Sequence, residues 1–460
     1  MLQIHYIRAS VASSVLFFAR SVLFLVVGLA LVALVACSSE DNSGGGAVTS
    51  GSPPIIDGEW PFDASGESEK VQSTPGLGDL NLENVIKIEF KNGGAPEITN
   101  PLSEVTVTNT GENVVVTAPD VGKDEKTEYS FVISGTTSNG SVKFYGDVRK
   151  ALYLNGVNIT NSKGPAINIQ GGKRAMIHLI NGTQNFLVDG PKYDIQEGEQ
   201  AKGTFFSEGK LDFEGSGSLD VKGKGSHAIV VDNDIEVRNG KVTVSESVKD
   251  GVHANKTILV SGGVLKISSV GDAIQSERKA GGVIIAGGKV KVATGGIKSH
   301  GIASDSAAVS IKKDAIVQIS VLGNGSKGIR SRGYVEFQDN QKTLIKTSGT
   351  TDKSDPTDES NSAGIKVSAE ETIELFLEGG ELTIKATGDG SKGINAIDAS
   401  ISAGKIDIDA DDDGLRVHGE LKIPTTSTAS GSIKSKKKKA INADTWDGNK
   451  GGIITQDGGF

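Results

Sequence analysis

A short pattern recurs along this chain and sets what it can fold into. It reads as a small or charged residue, then Gly or Ala, then Ile or Val, a polar residue, and Ser or Ala. It stands at Asp250-Gly251-Val252-His253-Ala254 and at Asp272-Ala273-Ile274-Gln275-Ser276, and again at Gly295-Gly296-Ile297-Lys298-Ser299. Copies follow around Ile329, Ile365, Ile394, Leu415 and Ile441, and looser ones precede it around Ile167, Phe206 and Ile229. The central apolar residues at 206, 229, 252, 274 and 297 give a basic period of 22–23 residues, and later steps stretch where turns carry insertions. A second pattern lies between the first: a glycine turn followed by apolar/polar alternation, as in Gly262-Gly263-Val264-Leu265-Lys266-Ile267 and Gly287-Gly288-Lys289-Val290-Lys291-Val292. Alternation of period two is strand chemistry.

A unit this short cannot bury a core by itself, so successive copies must stack. Strands of neighbouring coils then pair at ~4.8 Å, and inward Val, Ile and Leu form ladders along the axis. The expectation is an all-β chain: a single right-handed parallel β-helix of about eleven coils with an N-terminal cap over its open edge. Composition agrees. There are 61 glycines for the corners, and aromatics make up only 5%, which suits a narrow coil. A β-propeller blade needs ~40–50 residues. The polar, turn-rich tract 346–361 reads as a loop projecting from one coil.

The start of the chain is an address. Arg8 and Arg20 precede an unbroken apolar run, residues 21–36, which ends in Leu34-Val35-Ala36 before Cys37, the one cysteine. This describes a secretory signal for the Sec pathway. It resembles the lipobox of bacterial lipoproteins, in which the cysteine is cleaved to the front and lipidated with palmitate-type chains. The run is short for a spanning helix, which needs ~20 residues. The organisation read from this is a signal peptide over 1–36, a Gly/Ser-rich tether over 37–58, a cap with first strands over 59–124, and the β-helix over 125–460. The expected location is the cell envelope, lipid-anchored at an outer membrane or cell surface.

In a stacked coil, equivalent positions become stripes. The residue after each central apolar one runs Asn168, Ser207, Val230, His253, Gln275, Lys298, Arg330, Lys366, Asn395, Arg416, Asn442. None is acidic, although the chain's net charge is −9. Amides and cations hydrogen-bond hydroxyls and pair carboxylates, so His253, Gln275, Lys298, Arg330, Lys366 and Arg416 are candidates for holding a linear, acidic glycan. An ordinary solvated face is the competing reading. Carboxylates at Asp250 and Asp272, one period apart, and at Asp411 and Asp413 are candidate calcium ligands, because calcium takes six to eight oxygens. The competing reading is turn residues that satisfy backbone amides. His227 and His253, roughly one coil apart, read as solvated neighbours. The lysines of 436–439 read as a solvated end, since no aromatics interleave with them; with the acidic balance, nucleic acid is not an expected partner.

The segments 152–161 (LYLNGVNITN), 164–169 (GPAINI) and 181–190 (NGTQNFLVDG) resemble the opening motif of a bacterial carbohydrate-binding β-helix family. The following 203–207 (GTFFS), 215–221 (GSGSLDV) and 249–252 (KDGV) keep its order, and the resemblance covers roughly 125–445. It implies a fold similar to polysaccharide lyases, in secreted and often lipid-anchored proteins that bind plant-type or acidic polysaccharides and calcium. The function expected is a surface lipoprotein that binds polysaccharide without cleaving it. The alternatives are a calcium-dependent polysaccharide lyase, with Lys298 or Arg330 as the base, and a structural adhesin for a protein partner.

Overall fold

The computed structural model describes residues 53–54, 83–122, 126–278, 280–354, 360–368, 375–446, 448 and 451–458. The leader and Cys37 lie outside the described residues. Among the described residues there are 36 strands and no α-helix.

The period-two segments pair in one systematic way. Each coil of the central repeats has three strands, for example Val252–Ala254, Thr257–Val260 and Val264–Ser269. Each pairs in parallel with the corresponding strand of the coils before and after it. The result is a parallel β-solenoid. Two antiparallel pairs stand at its start: Val85–Lys91 with Glu97–Thr99, and Thr106–Thr110 with Asn113–Thr117.

The coil count exceeds the expected eleven. Thirteen first strands stack in register, from Asn113–Thr117 to Ile441–Thr445. The two additional coils carry inward Val114 and Val142, which continue the ladder below Ile167. Neither follows the Gly/Ala-Ile pattern, so the repeat did not mark them.

Two assigned rungs shift. Phe205, not Phe206, stands between Ile167 and Ile229, because both neighbouring phenylalanines match the pattern and only pairing separates them. Ile302, not Ile297, stands between Ile274 and Ile329. Ile297 is 42% exposed in a turn. Lys298 beside it takes a left-handed backbone, φ 55°. Gly295-Gly296-Ile297 thus imitates the motif inside an enlarged corner.

The small residue before each rung has a packing cause. A Cβ on Gly251 would lie 2.1 Å from Cγ2 of Ile267, in the third strand of the same coil. The same clash recurs for Gly301 with Ile319 at 2.3 Å, Gly328 with Ile345 at 2.2 Å, Gly364 with Ile384 at 2.4 Å and Gly393 with Ile408 at 2.4 Å. In the two coils flanking that of Gly251 this small residue is Ala, at 228 and 273. The register then places Val244 and Val292 where the others have isoleucine. Gly with Ile and Ala with Val carry the same number of side-chain carbons, so from the coil of Ala228 to that of Gly414 this pair holds constant volume. Interiors packed near crystal density require this.

The swap is testable by a double-mutant cycle. Gly251→Ala overpacks its coil and should destabilise by about 1–3 kcal/mol. Ile267→Val should cost ~0.5–1.5 kcal/mol. The double variant should recover most of the sum, since it reproduces its neighbours' pairing; additive losses in urea unfolding would refute the volume match.

Candidate functional site

The register draws the outward row of the first face. From Lys143 it runs through Asn168, Phe206, Val230, His253, Gln275, Ala303, Arg330, Lys366, Asn395 and Arg416 to Asn442. Five of the six glycan candidates, His253, Gln275, Arg330, Lys366 and Arg416, therefore share one row. Lys298 does not; Ala303 holds its place. Phe206 likewise replaces Ser207. From Lys143 to Asn442 no residue of the row is a carboxylate.

Facing outward does not leave this row bare. Over its N-terminal end lies the connection 190–202. Glu199 takes Lys143 Nζ at 2.6 Å and bonds the Tyr145 hydroxyl. The Gln200 carbonyl accepts from Asn168 and Gln170. Lys202 Nζ stands 5.9 Å from the centroid of the Phe206 ring, which is fully buried.

Beyond that cover, carboxylates flank the row. The residue three places after the rung is Glu208, Asp232, Glu277, Asp305 or Asp444 in five coils. Asp305 accepts from Arg330 at 2.5 Å and from Gln275 at 2.9 Å. Asp444 pairs with Arg416 at 2.8 Å, and Glu277 with Nε2 of His253 at 3.2 Å. The open part of the face thus presents cation–carboxylate pairs rather than bare charge. Sequence reasoning missed this column, whose signal was the repeated acid three places after the motif's centre.

On the other side of each rung, two places before it, side chains reach up one coil to the backbone. The Asp250 amide donates to His227 Nδ1 at 3.2 Å, and the Asp272 amide to Asp250 Oδ1 at 2.9 Å. His300 donates its amide to Asp272 Oδ1 at 2.6 Å, and Lys327 donates its own to His300 Nδ1 at 3.1 Å. Five successive coils are stitched by this one device, used four times. His227 and His253 are correspondingly not solvated neighbours. Their rings lie 5.0 Å apart, with His253 buried and Asp250 Oδ2 within 3.1 Å of Nδ1 on both.

The stitching places charges where burial acts on them. Burial alone would raise Asp250, but the imidazoles of His227 and His253 outweigh it and hold the carboxyl below its ordinary range. Burial also opposes the charge on His253, yet Asp250 and Glu277 raise it to about 10. Asp272 is pushed well above the carboxylate range by desolvation and then by the neighbouring Asp250 charge. Burial, with Lys327 and Arg330 nearby, depresses His300.

The four aspartates expected to hold calcium have their oxygens turned to N–H donors. Asp250 receives the Asp272 amide and the His253 imidazole, and Asp272 receives the His300 amide. Asp411 takes Lys437 Nζ and the Gly390 amide, both at 2.8 Å. Both oxygens of Asp413 face Asn442 Nδ2 at 3.2 Å. A calcium shell of six to eight oxygens does not fit these donors.

Asp272 supplies a pH test. An acid with a raised folded pKa binds its proton more tightly folded than unfolded, so its penalty is absent below about pH 4 and grows as pH rises toward the folded value. Asp250, His300, Arg330 and Asp305 face it and set that shift. Asp272→Asn keeps the acceptor for the His300 amide and removes the penalty. Its melting temperature should exceed the parent's at pH 7 and converge with it near pH 4; a variant less stable at pH 7 would show that Asp272 is needed as an anion.

Comparisons with known proteins converge on one description. A family model described as carbohydrate-binding domain-containing protein matches residues 110–400. A carbohydrate-binding domain-containing protein of Acetivibrio thermocellus is 28% identical over 118 residues, 25% of this chain and 41% of its own length. This chain therefore spans about two-fifths of that relative. Among solved structures, the polysaccharide lyase-like protein from C. thermocellum, a gadolinium derivative, aligns with a TM-score of 0.42 and 23% identity, over 63% of this chain and 96% of that one. With well over half of its length matched by the family model, this chain belongs to the carbohydrate-binding domain-containing protein family.

Proposed function

We propose that this protein binds a polysaccharide along the first face of its solenoid and does not cleave it. One observation carries the reading: the outward row from His253 to Asn442 lacks carboxylates and is flanked by them. Each cation–carboxylate pair offers a donor beside an acceptor at coil spacing, ~4.8 Å. A sugar hydroxyl satisfies such a pair by accepting from one partner and donating to the other. Arg330 and Arg416 add places where a glycan carboxylate can compete with the resident acid, and Lys366 adds a further cation to the row. That favours an acidic, plant-type polymer over an uncharged one, and family membership supports carbohydrate as the partner class. Cleavage by β-elimination needs a base held against the C5 proton. Lys298 stands off the row, and Arg330 is bonded to Asp305. The reading also places the protein at the cell surface, held by lipid on Cys37; Cys37→Ala should leave it unprocessed and out of the detergent phase.

Retention on immobilised polygalacturonate tests the function. The protein should be retained at low salt and released as salt screens the charges over ~8 Å. Arg330→Gln with Lys366→Gln should weaken retention at least tenfold while thermal melting verifies folding, and Lys298→Ala should leave it unchanged. Equal retention of the row variant, or equal loss in Lys298→Ala, would move the site off the row. Unsaturated, ultraviolet-absorbing products from polygalacturonate would replace binding by lyase chemistry.

A further inference from the structure

Beside the glycan row, three successive coils bring four acceptor atoms together. Nδ1 of His227 lies 3.1 Å from Oδ2 of Asp250, and the same oxygen lies 3.1 Å from Nδ1 of His253. Nδ1 of His253 is in turn 3.1 Å from Oε1 of Gln275. Among the described residues, His227, Asp250 and His253 form the one group of three histidine or acidic residues whose ligand atoms all fall within 4.8 Å of one another. We propose that this cluster is a binding site for a divalent transition-metal ion of the zinc type, held by His227, Asp250 and His253, with the Gln275 amide oxygen at its edge.

The donor set selects the metal. Two imidazole nitrogens and one carboxylate suit zinc and its neighbours, whereas calcium takes oxygens alone. Tetrahedral zinc with bonds of 2.0–2.2 Å separates its ligands by about 3.3 Å; each histidine nitrogen already stands 3.1 Å from the Asp250 oxygen, and the two nitrogens lie within 4.8 Å of each other. The outer shell is present as well. Metal-binding histidines usually donate their second ring nitrogen to a carboxylate, which fixes the tautomer and the ring. His253 meets that condition, with Nε2 3.2 Å from Oε1 of Glu277.

Coordination at His227 exchanges its 3.2 Å bond from the Asp250 amide for the metal. In return the ion ties the coils of His227, Asp250–His253 and Gln275 to one another. His253 and Gln275 also belong to the glycan row, so a bound ion would stiffen that part of it. The fourth coordination place faces Gln275, where an amide oxygen, a water or a sugar hydroxyl can complete the shell. This inference stands on the cluster's own geometry and not on the proposed glycan function.

The untagged protein, treated with a chelator and dialysed, is titrated separately with zinc and calcium by calorimetry and thermal melting. One zinc should bind per chain and raise the melting temperature with concentration, as expected for a ligand of the folded state, and calcium should not compete for it. Cobalt in its place should give the absorption of a tetrahedral nitrogen–oxygen site. His227→Gln and His253→Gln should each abolish the cobalt spectrum, Glu277→Gln should weaken zinc affinity about 10–100-fold, and His300→Gln, a ladder histidine outside the cluster, should leave binding intact. Absence of zinc binding in the parent overturns the site, as does binding retained by the His227→Gln, His253→Gln double variant. A variant that fails to fold is recognised by its melting curve, and the cobalt spectrum of Glu277→Gln then decides.

Discussion

From the coil of Ala228 to that of Gly414 the interior beside each rung admits a fixed amount of hydrocarbon, and the order of the columns follows from that limit. Where the residue before the rung is Gly251, Gly301 or Gly328, the opposing third strand supplies isoleucine with its Cγ2 in the vacated space. Where that residue is Ala228 or Ala273, the register places valine opposite. Constant cross-section keeps successive coils superposed, and superposition turns sequence positions into columns. Without it neither the outward row nor the ladder of buried acceptors would line up.

Three columns then divide the polar work around every rung. Two places before it, side chains accept the backbone amide of the next coil, as Asp250 does for Asp272. One place after it stands the row of amides, imidazole and cations. Three places after it stand acids such as Asp305, which hold that row in position. The cluster at Asp250 arises where the first two columns both carry a histidine within reach of one carboxylate. Its geometry is a by-product of stacking rather than of any contiguous motif.

Period, strand chemistry and inward positions were legible in the sequence because hydrophobic alternation reports them directly. Ambiguity remained wherever two residues satisfied the same pattern. Phe205 and Phe206 are adjacent and equally apolar, and only hydrogen-bond register chooses between them. Gly295-Gly296-Ile297 copied the motif inside a corner, which moved Lys298 onto a row it does not occupy. The coils of Val114 and Val142 lack the small residue before the rung, so no pattern announced them. The site was less legible than the fold. A residue's column can be counted along the chain, but that Asp250 lies between His227 and His253 depends on which side chains reach across coils. Calcium was read from carboxylate spacing alone, and spacing does not reveal that backbone amides and lysines already occupy those oxygens.

The match between the small residue and the opposing aliphatic lies inside one coil, Gly251 against Ile267, while the Ala273 carbonyl of the next coil crowds the same Cβ position at 2.8 Å. Because every coil pairs with its neighbours through the same three strand columns, coils can be added end to end, whereas an insertion is carried between strands, as between Thr347 and Ala363. Length becomes the freely varied property of such a protein and girth the inherited one.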